Sequence, residues 1–126
     1  MIQVETSMIS GNCNAWRNRL KVHRDKLNEC QVHLQEAAGR RLTSHQLQDV
    51  EQLHNQFHIQ LVNIHDLKLA IRVHLKKADY EFNTKNGHLN DDTLAEHEVL
   101  LERYSYLEQL LQGLQDRFRT FLARLS

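Results

Sequence analysis

Histidines are the residues of this chain whose type and spacing most suggest chemistry. There are nine of them in 126 residues. His54 and His58 lie four apart, a spacing that places two imidazoles on one helix face and occurs in zinc sites. Glu51 precedes His54 by the Glu-x-x-His spacing of di-iron four-helix bundles, and His65 follows near the same face. These four residues are candidate metal ligands, and the alternative function they indicate is a metal-binding helical bundle that uses histidines of one helix.

The rest of the sequence does not complete such a site. A di-iron bundle needs four helices and two Glu-His motifs, whereas this chain has three helical segments and one motif. Counting residues around the predicted turns places His23, His54 and His97 in different layers, with His54 and His97 about 39 Å apart. Cys30 joins His54 in its layer, but a structural zinc site takes four ligands. We therefore expect no metal site and no cofactor.

Lys68 is the second polar residue in an otherwise apolar pattern. Layer counting places it opposite Trp16 and near Glu108, where its ammonium could lie over the indole or pair with the carboxylate. A catalytic lysine would need a partner base, and the sequence indicates none. It also contains no recognisable Ser-His-Asp arrangement, glycine-rich phosphate loop or CxxC pair. We therefore predict no catalytic residues and a non-enzymatic protein.

The element that carries these residues is a long amphipathic helix. A capping box of Thr43 and Gln46 begins it, and Asn86-Gly87 is a stop and turn signal. Between them, side chains in steps of three and four residues define one seam, apolar except for His54 and Lys68. The seam consists of Leu47, Val50, His54, Phe57, Leu61, Ile64, Lys68, Ile71, Leu75, Ala78 and Phe82.

Two further helices show the same spacing. The first has its seam from Cys13 to Ala37 and ends at Gly39, a favoured residue just past a helix end. The third starts among Asn90-Asp91-Asp92-Thr93, where several caps are possible, and Thr93 with Glu96 forms a second capping box. Short connections make neighbouring helices antiparallel. The prediction is an all-α, antiparallel up-down-up three-helix bundle with long, coiled-coil-like helices over about 12–38, 44–85 and 92–125.

The bundle is expected to form one domain over residues 1–126. Gly11 and the neighbouring asparagines interrupt helix propensity, so residues 1–11 are predicted to be frayed or separately docked. A first helix of that length does not cover the far ends of the other two. Leu75, Phe82 and Leu94 are therefore a candidate partner surface.

Composition excludes several classes of function. The chain has 16 Lys and Arg against 16 Asp and Glu, so it lacks the basic excess of nucleic-acid binders. No stretch approaches the roughly 20 apolar residues of a membrane span, and the N-terminus is not a secretory signal. Cys13 and Cys30 would lie about 25 Å apart on one helix. Both thiols are expected to be free, which indicates the cytoplasm.

The polar residues of the seams fit a structural role. Single polar residues in such seams often set register and pairing, and His23, His54, Lys68 and His97, with Trp16, are assigned to that role. The predicted function is protein–protein interaction or self-association, with a protein partner or a homo-oligomer, and with neither nucleic acid nor membrane.

Short motifs along the chain carry a resemblance to one group of proteins. They are Asn14 and Trp16, Asn55-Gln56-Phe57, Asp66-Leu67-Lys68, Phe118-Arg119 and Phe121-Leu122-Ala123. In these motifs, residues 12–125 resemble small uncharacterised helical-bundle proteins of bacteroidete bacteria. The resemblance implies a cytoplasmic bacterial helical protein and brings no activity or catalytic residues with it. The architecture also resembles a spectrin-type repeat, at the level of fold alone.

Overall fold

The computed structural model describes the backbone of residues 2–125 and the side chains of residues 6–125. In that part of the chain three helices follow one another: α1 (Ile2–Ala38), α2 (Ser44–Thr84) and α3 (Asp91–Leu125). Each helix packs against both others, and α2 runs antiparallel to α1 and α3. The predicted all-α, antiparallel up-down-up three-helix bundle is confirmed. No helix among the described residues is long and apolar enough to cross a membrane.

Local signals fix both ends of α2. The Thr43 hydroxyl accepts from the Gln46 amide at 3.1 Å, and the Gln46 side chain accepts from the Thr43 amide at 2.9 Å. This confirms the predicted capping box. At the other end, Asn86 and Gly87 have φ angles of 53° and 86°. The left-handed backbone at these two residues ends α2, as the Asn-Gly pair predicts.

The start of α3 differs from the prediction. Thr93 lies inside the helix, where its hydroxyl donates to the Glu81 carboxylate of α2. Glu96 pairs with Lys77 of α2 at 2.9 Å. The predicted capping box of Thr93 and Glu96 is therefore wrong, because both side chains find partners on the neighbouring helix.

The first helix is longer than predicted. It continues through Gly11 from Ile2, where the sequence indicates a start near residue 12. Ile9 and Cys13 are both 0% exposed. Their burial outweighs the cost of about 1 kcal/mol for a glycine inside a helix. The sequence predicts a frayed or separately docked segment over residues 1–11, and the structure shows residues 6–11 as part of α1 with Ile9 in the core. For Met1 and for the side chains of residues 2–5 the prediction lies outside the described residues.

The face of α2 that lies in the core is rotated from the predicted seam. Four residues of the predicted seam are buried as expected: Phe57, Ile64, Ile71 and Ala78. Four other buried residues lie three positions after these, whereas the predicted seam used the residues four positions after them. His54 is exposed and Lys68 half-buried, so the placement of His54 in the packed seam is wrong. The buried residues of α2 are Leu53, Phe57, Gln60, Ile64, Leu67, Ile71, His74, Ala78 and Glu81.

The residues of the predicted partner surface are half-buried. Leu75 and Leu94 pack against the hydrophobic core, and Phe82 has intermediate exposure. The predicted first helix begins near residue 12, whereas α1 begins at Ile2 and is therefore longer than the prediction of an uncovered end assumes.

Candidate functional site

One buried group of chemically competent side chains takes a residue from each helix. Cys13 of α1, His74 of α2 and His97 of α3 each place one potential ligand atom within 4.8 Å of the others. Their exposed fractions are 0%, 3% and 3%. A thiol and two imidazoles at this separation can share a proton or bind a common ion. We call Cys13, His74 and His97 the Cys-His-His cluster.

Packing of aromatic rings fixes the position of the cluster. The indole of Trp16, one turn along α1 from Cys13, stacks on the imidazole of His97 with ring centroids 5.0 Å apart. The other neighbour of Trp16 is Tyr104, one α3 heptad beyond His97, at 5.6 Å. His74 and His97 have nearly parallel rings with centroids 5.3 Å apart. His97 has a ring contact with both Trp16 and His74, which narrows its accessible rotamers.

Four side chains form a chain of polar contacts through the cluster. Asn12 Nδ2 lies 3.0 Å from His97 Nε2, and His97 Nδ1 lies 3.2 Å from His74 Nε2. His74 Nδ1 lies 3.5 Å from Glu96 Oε2. These contacts therefore connect the partly exposed Asn12 of α1, through two buried imidazoles, to the exposed carboxylate of Glu96.

The carboxylate at the end of this chain selects the tautomers. A ring nitrogen that faces a carboxylate is favoured in its N–H form, so we assign the proton of His74 to Nδ1. His74 Nε2 then accepts from His97 Nδ1–H, and His97 Nε2 accepts from the Asn12 amide. The opposite order would direct two acceptors, His74 Nδ1 and Glu96 Oε2, at each other.

Burial sets the protonation of the cluster. It lowers the pKa of His74 below the usual 6.5, an effect that Glu96 partly offsets. Burial and the neighbouring His74 lower the pKa of His97. Burial also raises the pKa of the Cys13 thiol to about 11. Near neutral pH the cluster therefore holds two neutral imidazoles and a thiol, and it has no net charge.

A second polar group lies about two to five helical turns further along α1 and α3. Arg19 pairs with Glu108 at 2.6 Å, and Glu108 also lies 3.6 Å from His23 Nε2. The Gln115 amide reaches the other nitrogen of His23 at 3.5 Å. The Arg19 contact lowers the pKa of Glu108. The contacts of Arg19 and His23 with Glu108 therefore form a structural cross-link between the parallel helices α1 and α3.

The residues predicted from sequence fall into different places. Trp16, His23 and His97 are buried. Lys68 is half-buried. The charges that act on the Lys68 pKa come from Arg24 and its neighbours on α1, and burial is the larger cause of its lowered pKa.

The metal ligands suggested by spacing stay apart from the cluster. Glu51, His54, His58 and His65 are all exposed. Among the described residues, the three ligand-type side chains that converge are different ones. Sequence reasoning missed Cys13 and His74 as a pair, because the predicted seam placed Leu75 inward in place of His74.

The outer face of α2 carries a second feature, an exposed apolar stripe. Its members recur in steps of three, four and seven residues, so they lie on one side of the helix. Their exposed fractions lie between 46% and 67%. We call this set the α2 stripe: Ile59, Val62, Leu69, Val73 and Tyr80.

Comparison with known proteins does not assign either feature. No protein family, curated protein or solved structure that was compared matches this chain.

Proposed function

We propose that this protein is a non-enzymatic helical bundle that acts by self-association, through the α2 stripe of two copies packed antiparallel. The observation that carries the proposal is the symmetry about Ile71 of four members of the stripe, Val62, Leu69, Val73 and Tyr80. A twofold contact needs a surface that is complementary to itself, so that residue i of one copy meets residue j of the other and the reverse. The outer face of α2 meets that condition.

Residues equally far from Ile71 match one another across such an axis. Leu69 and Val73 lie two residues to either side, and both are apolar. Asp66 and Lys76 lie five residues to either side, and they have opposite charges. In an antiparallel contact centred at this level, each Asp66 would meet a Lys76 of the partner copy, and each pair would form twice.

Two residues of the stripe that lie further from Ile71 also pair an apolar side chain with an apolar side chain. Val62 and Tyr80 lie nine residues to either side of Ile71. Both are exposed and apolar, and a tyrosine at an interface contributes large contact area with a polar end that stays in water. Val99 of α3 lines the same groove as Val73 and widens the apolar face. A formal net charge of zero means that two copies do not repel one another.

The free thiols of Cys13 and Cys30 support a reducing compartment such as the cytoplasm as the place where the assembly works.

Sedimentation equilibrium over a range of protein concentrations tests the proposal. We expect a dimer of the unmodified chain, and a monomer for the Leu69→Glu and Val73→Glu variants, because each buries a carboxylate at the centre of the contact. Val32 is 54% exposed on α1, so Val32→Glu is the matched control and should remain dimeric. A monomer at all concentrations, or equal loss in the control, would reject the α2 stripe as the interface.

A charge exchange tests the axis itself. Asp66→Lys alone and Lys76→Asp alone should each weaken the dimer by roughly five-fold or more, because two pairs of about 0.5 kcal/mol are replaced by like charges. The double variant should recover the original dissociation constant, since the pairs then form in the opposite sense. Additive losses in the double variant would contradict an axis near Ile71.

A further inference from the structure

We propose that the Cys-His-His cluster is a site for a single zinc-class transition-metal ion, with Cys13 Sγ, His74 Nε2 and His97 Nδ1 as its protein ligands. Water would fill the fourth position. The site is independent of self-association, because its three ligands come from one chain. A thiolate with two imidazoles is a donor set that zinc prefers over calcium or magnesium.

The spacing of the nitrogens fits the ion. His74 Nε2 and His97 Nδ1 are 3.2 Å apart. Two nitrogens bound to one tetrahedral zinc at about 2.0 Å would be about 3.3 Å apart. The nitrogens therefore need almost no change in separation. Each ring must turn about its Cβ–Cγ bond, a soft torsion, so that both lone pairs converge on the ion.

The outer nitrogens lie close to side chains of the kind that orient metal-bound histidines. Such a histidine commonly donates its second N–H to a carboxylate or carbonyl oxygen, which orients the ring. Glu96 Oε2 lies 3.5 Å from His74 Nδ1, and that buried nitrogen has no hydrogen-bond partner among the described residues. Asn12 lies 3.0 Å from His97 Nε2. Its amide can turn over and offer its oxygen to an N–H at that position.

The protons balance in a simple way. Binding breaks the S–H bond of Cys13 and forms a metal–sulfur bond, and the thiol proton leaves to water. The proton of His97 moves from Nδ1 to Nε2, and Asn12 Oδ1 accepts a hydrogen bond from the new N–H group. His74 keeps its proton on Nδ1. One proton is therefore released for each ion bound, and affinity should rise with pH.

A path for the ion lies directly over His74. His74, Lys77 and Glu96 are among the residues that line a groove between α2 and α3. Glu96 is about half exposed and is held by Lys77 at 2.9 Å. The carboxylate that would orient His74 therefore also lies where an incoming cation first meets the protein.

Cobalt(II) titrated into untagged, chelator-treated protein tests the site. We expect one ion per chain, the visible absorption of tetrahedral cobalt, a thiolate-to-cobalt charge-transfer band, and displacement by zinc. One proton per ion should appear in a weakly buffered solution. Zinc should also raise the melting temperature of the unmodified chain, which needs no variant to interpret.

Paired variants locate the site. Cys13→Ala should remove the charge-transfer band, whereas Cys30→Ala, which alters the other free thiol, should leave it unchanged. His74→Gln should abolish tight binding, whereas a double change of the exposed His54 and His58 to alanine should have no effect. Glu96→Gln should weaken zinc by roughly 10- to 100-fold. Circular dichroism checks that each variant keeps its helices.

Three results would overturn the proposal. One is the absence of a charge-transfer band at saturating cobalt in the unmodified chain. Another is a band that survives Cys13→Ala but disappears in Cys30→Ala. The third is tight binding that depends on His54 and His58, which would assign the ion to the exposed face of α2.

Discussion

The carboxylate of Glu81 and the hydroxyl of Thr93 join the last turn of α2 to the first turn of α3, with Thr93 Oγ1 at 2.8 and 2.7 Å from the two carboxylate oxygens. The Asn90 backbone amide also donates to Glu81, at 2.8 Å. Glu81 is 3% exposed and Thr93 is 0% exposed. A buried carboxylate with two donors ties the second connection of the bundle to the helices on both sides.

Glu81→Gln should destabilise the bundle by about 1–3 kcal/mol near pH 7, because hydrogen bonds to a buried charged acceptor are lost or weakened. Burial opposes the charge of Glu81, but the donors from Asn90 and Thr93 outweigh it and hold its pKa below the usual 4.5. The contribution of Glu81 is therefore present above pH 4.5 and is lost as the pH falls through the lowered value.

Urea unfolding at one fixed protein concentration measures the effect. The difference between the original chain and Glu81→Gln should be large near neutral pH and should shrink in acid. Glu102→Gln, at an exposed position of α3, is the matched control and should change the free energy of unfolding by less than about 0.5 kcal/mol. A pH-independent difference would mean that shape, and not charge, is what Glu81 contributes.

Ile9→Ala should destabilise the bundle by about 2–5 kcal/mol, since Ile9 is 0% exposed and its removal leaves a cavity. Met8 is the adjacent residue and is 47% exposed. Met8→Ala should therefore be nearly neutral, and the comparison cancels effects on helix propensity. Equal, small changes in urea unfolding for both variants would show that the first turns of α1 do not contribute to the core.

Stability should fall between about pH 7 and about pH 5, a range in which few surface carboxylates titrate. Burial lowers the pKa of His23, His74 and His97 in the folded state below 6.5. The unfolded chain therefore binds protons first as the pH drops. Stability from these histidines is complete above 6.5 and declines down to the lowered folded values, by about 1.4 kcal/mol per pH unit for each extra proton bound.

Replacing one of these histidines should flatten the slope. His74→Gln, measured by urea unfolding in metal-free buffer, should reduce the loss of stability on acidification. His58→Gln changes an exposed histidine of the same helix and should leave the slope unchanged. The charges around His74 come from Glu96, Lys77 and Glu81, so Glu96→Gln should make the slope steeper by removing a group that favours the protonated ring. An unchanged slope in His74→Gln would contradict this assignment.

The sequence by itself determined the three helices, their antiparallel order and both ends of α2. The reason is that these features are local. The capping bonds of Thr43 and Gln46 and the left-handed backbone at Asn86 and Gly87 need only near neighbours in the chain. The repeat of Phe57, Ile64, Ile71 and Ala78 similarly fixes one buried line along a helix without reference to any other.

Only the tertiary structure decided which neighbouring residues of α2 are buried beside that line. Spacing permits the residue three positions later or four positions later, and the second set, with Leu61, Leu75 and Phe82, looks more apolar. The fold buries His74 and Glu81 from the first set because α3 supplies their partners: His97 beside His74, and Thr93 beside Glu81. A periodic pattern describes one helix, whereas a satisfied buried polar group depends on residues far away in sequence. The Cys-His-His cluster therefore exists only in the assembled bundle.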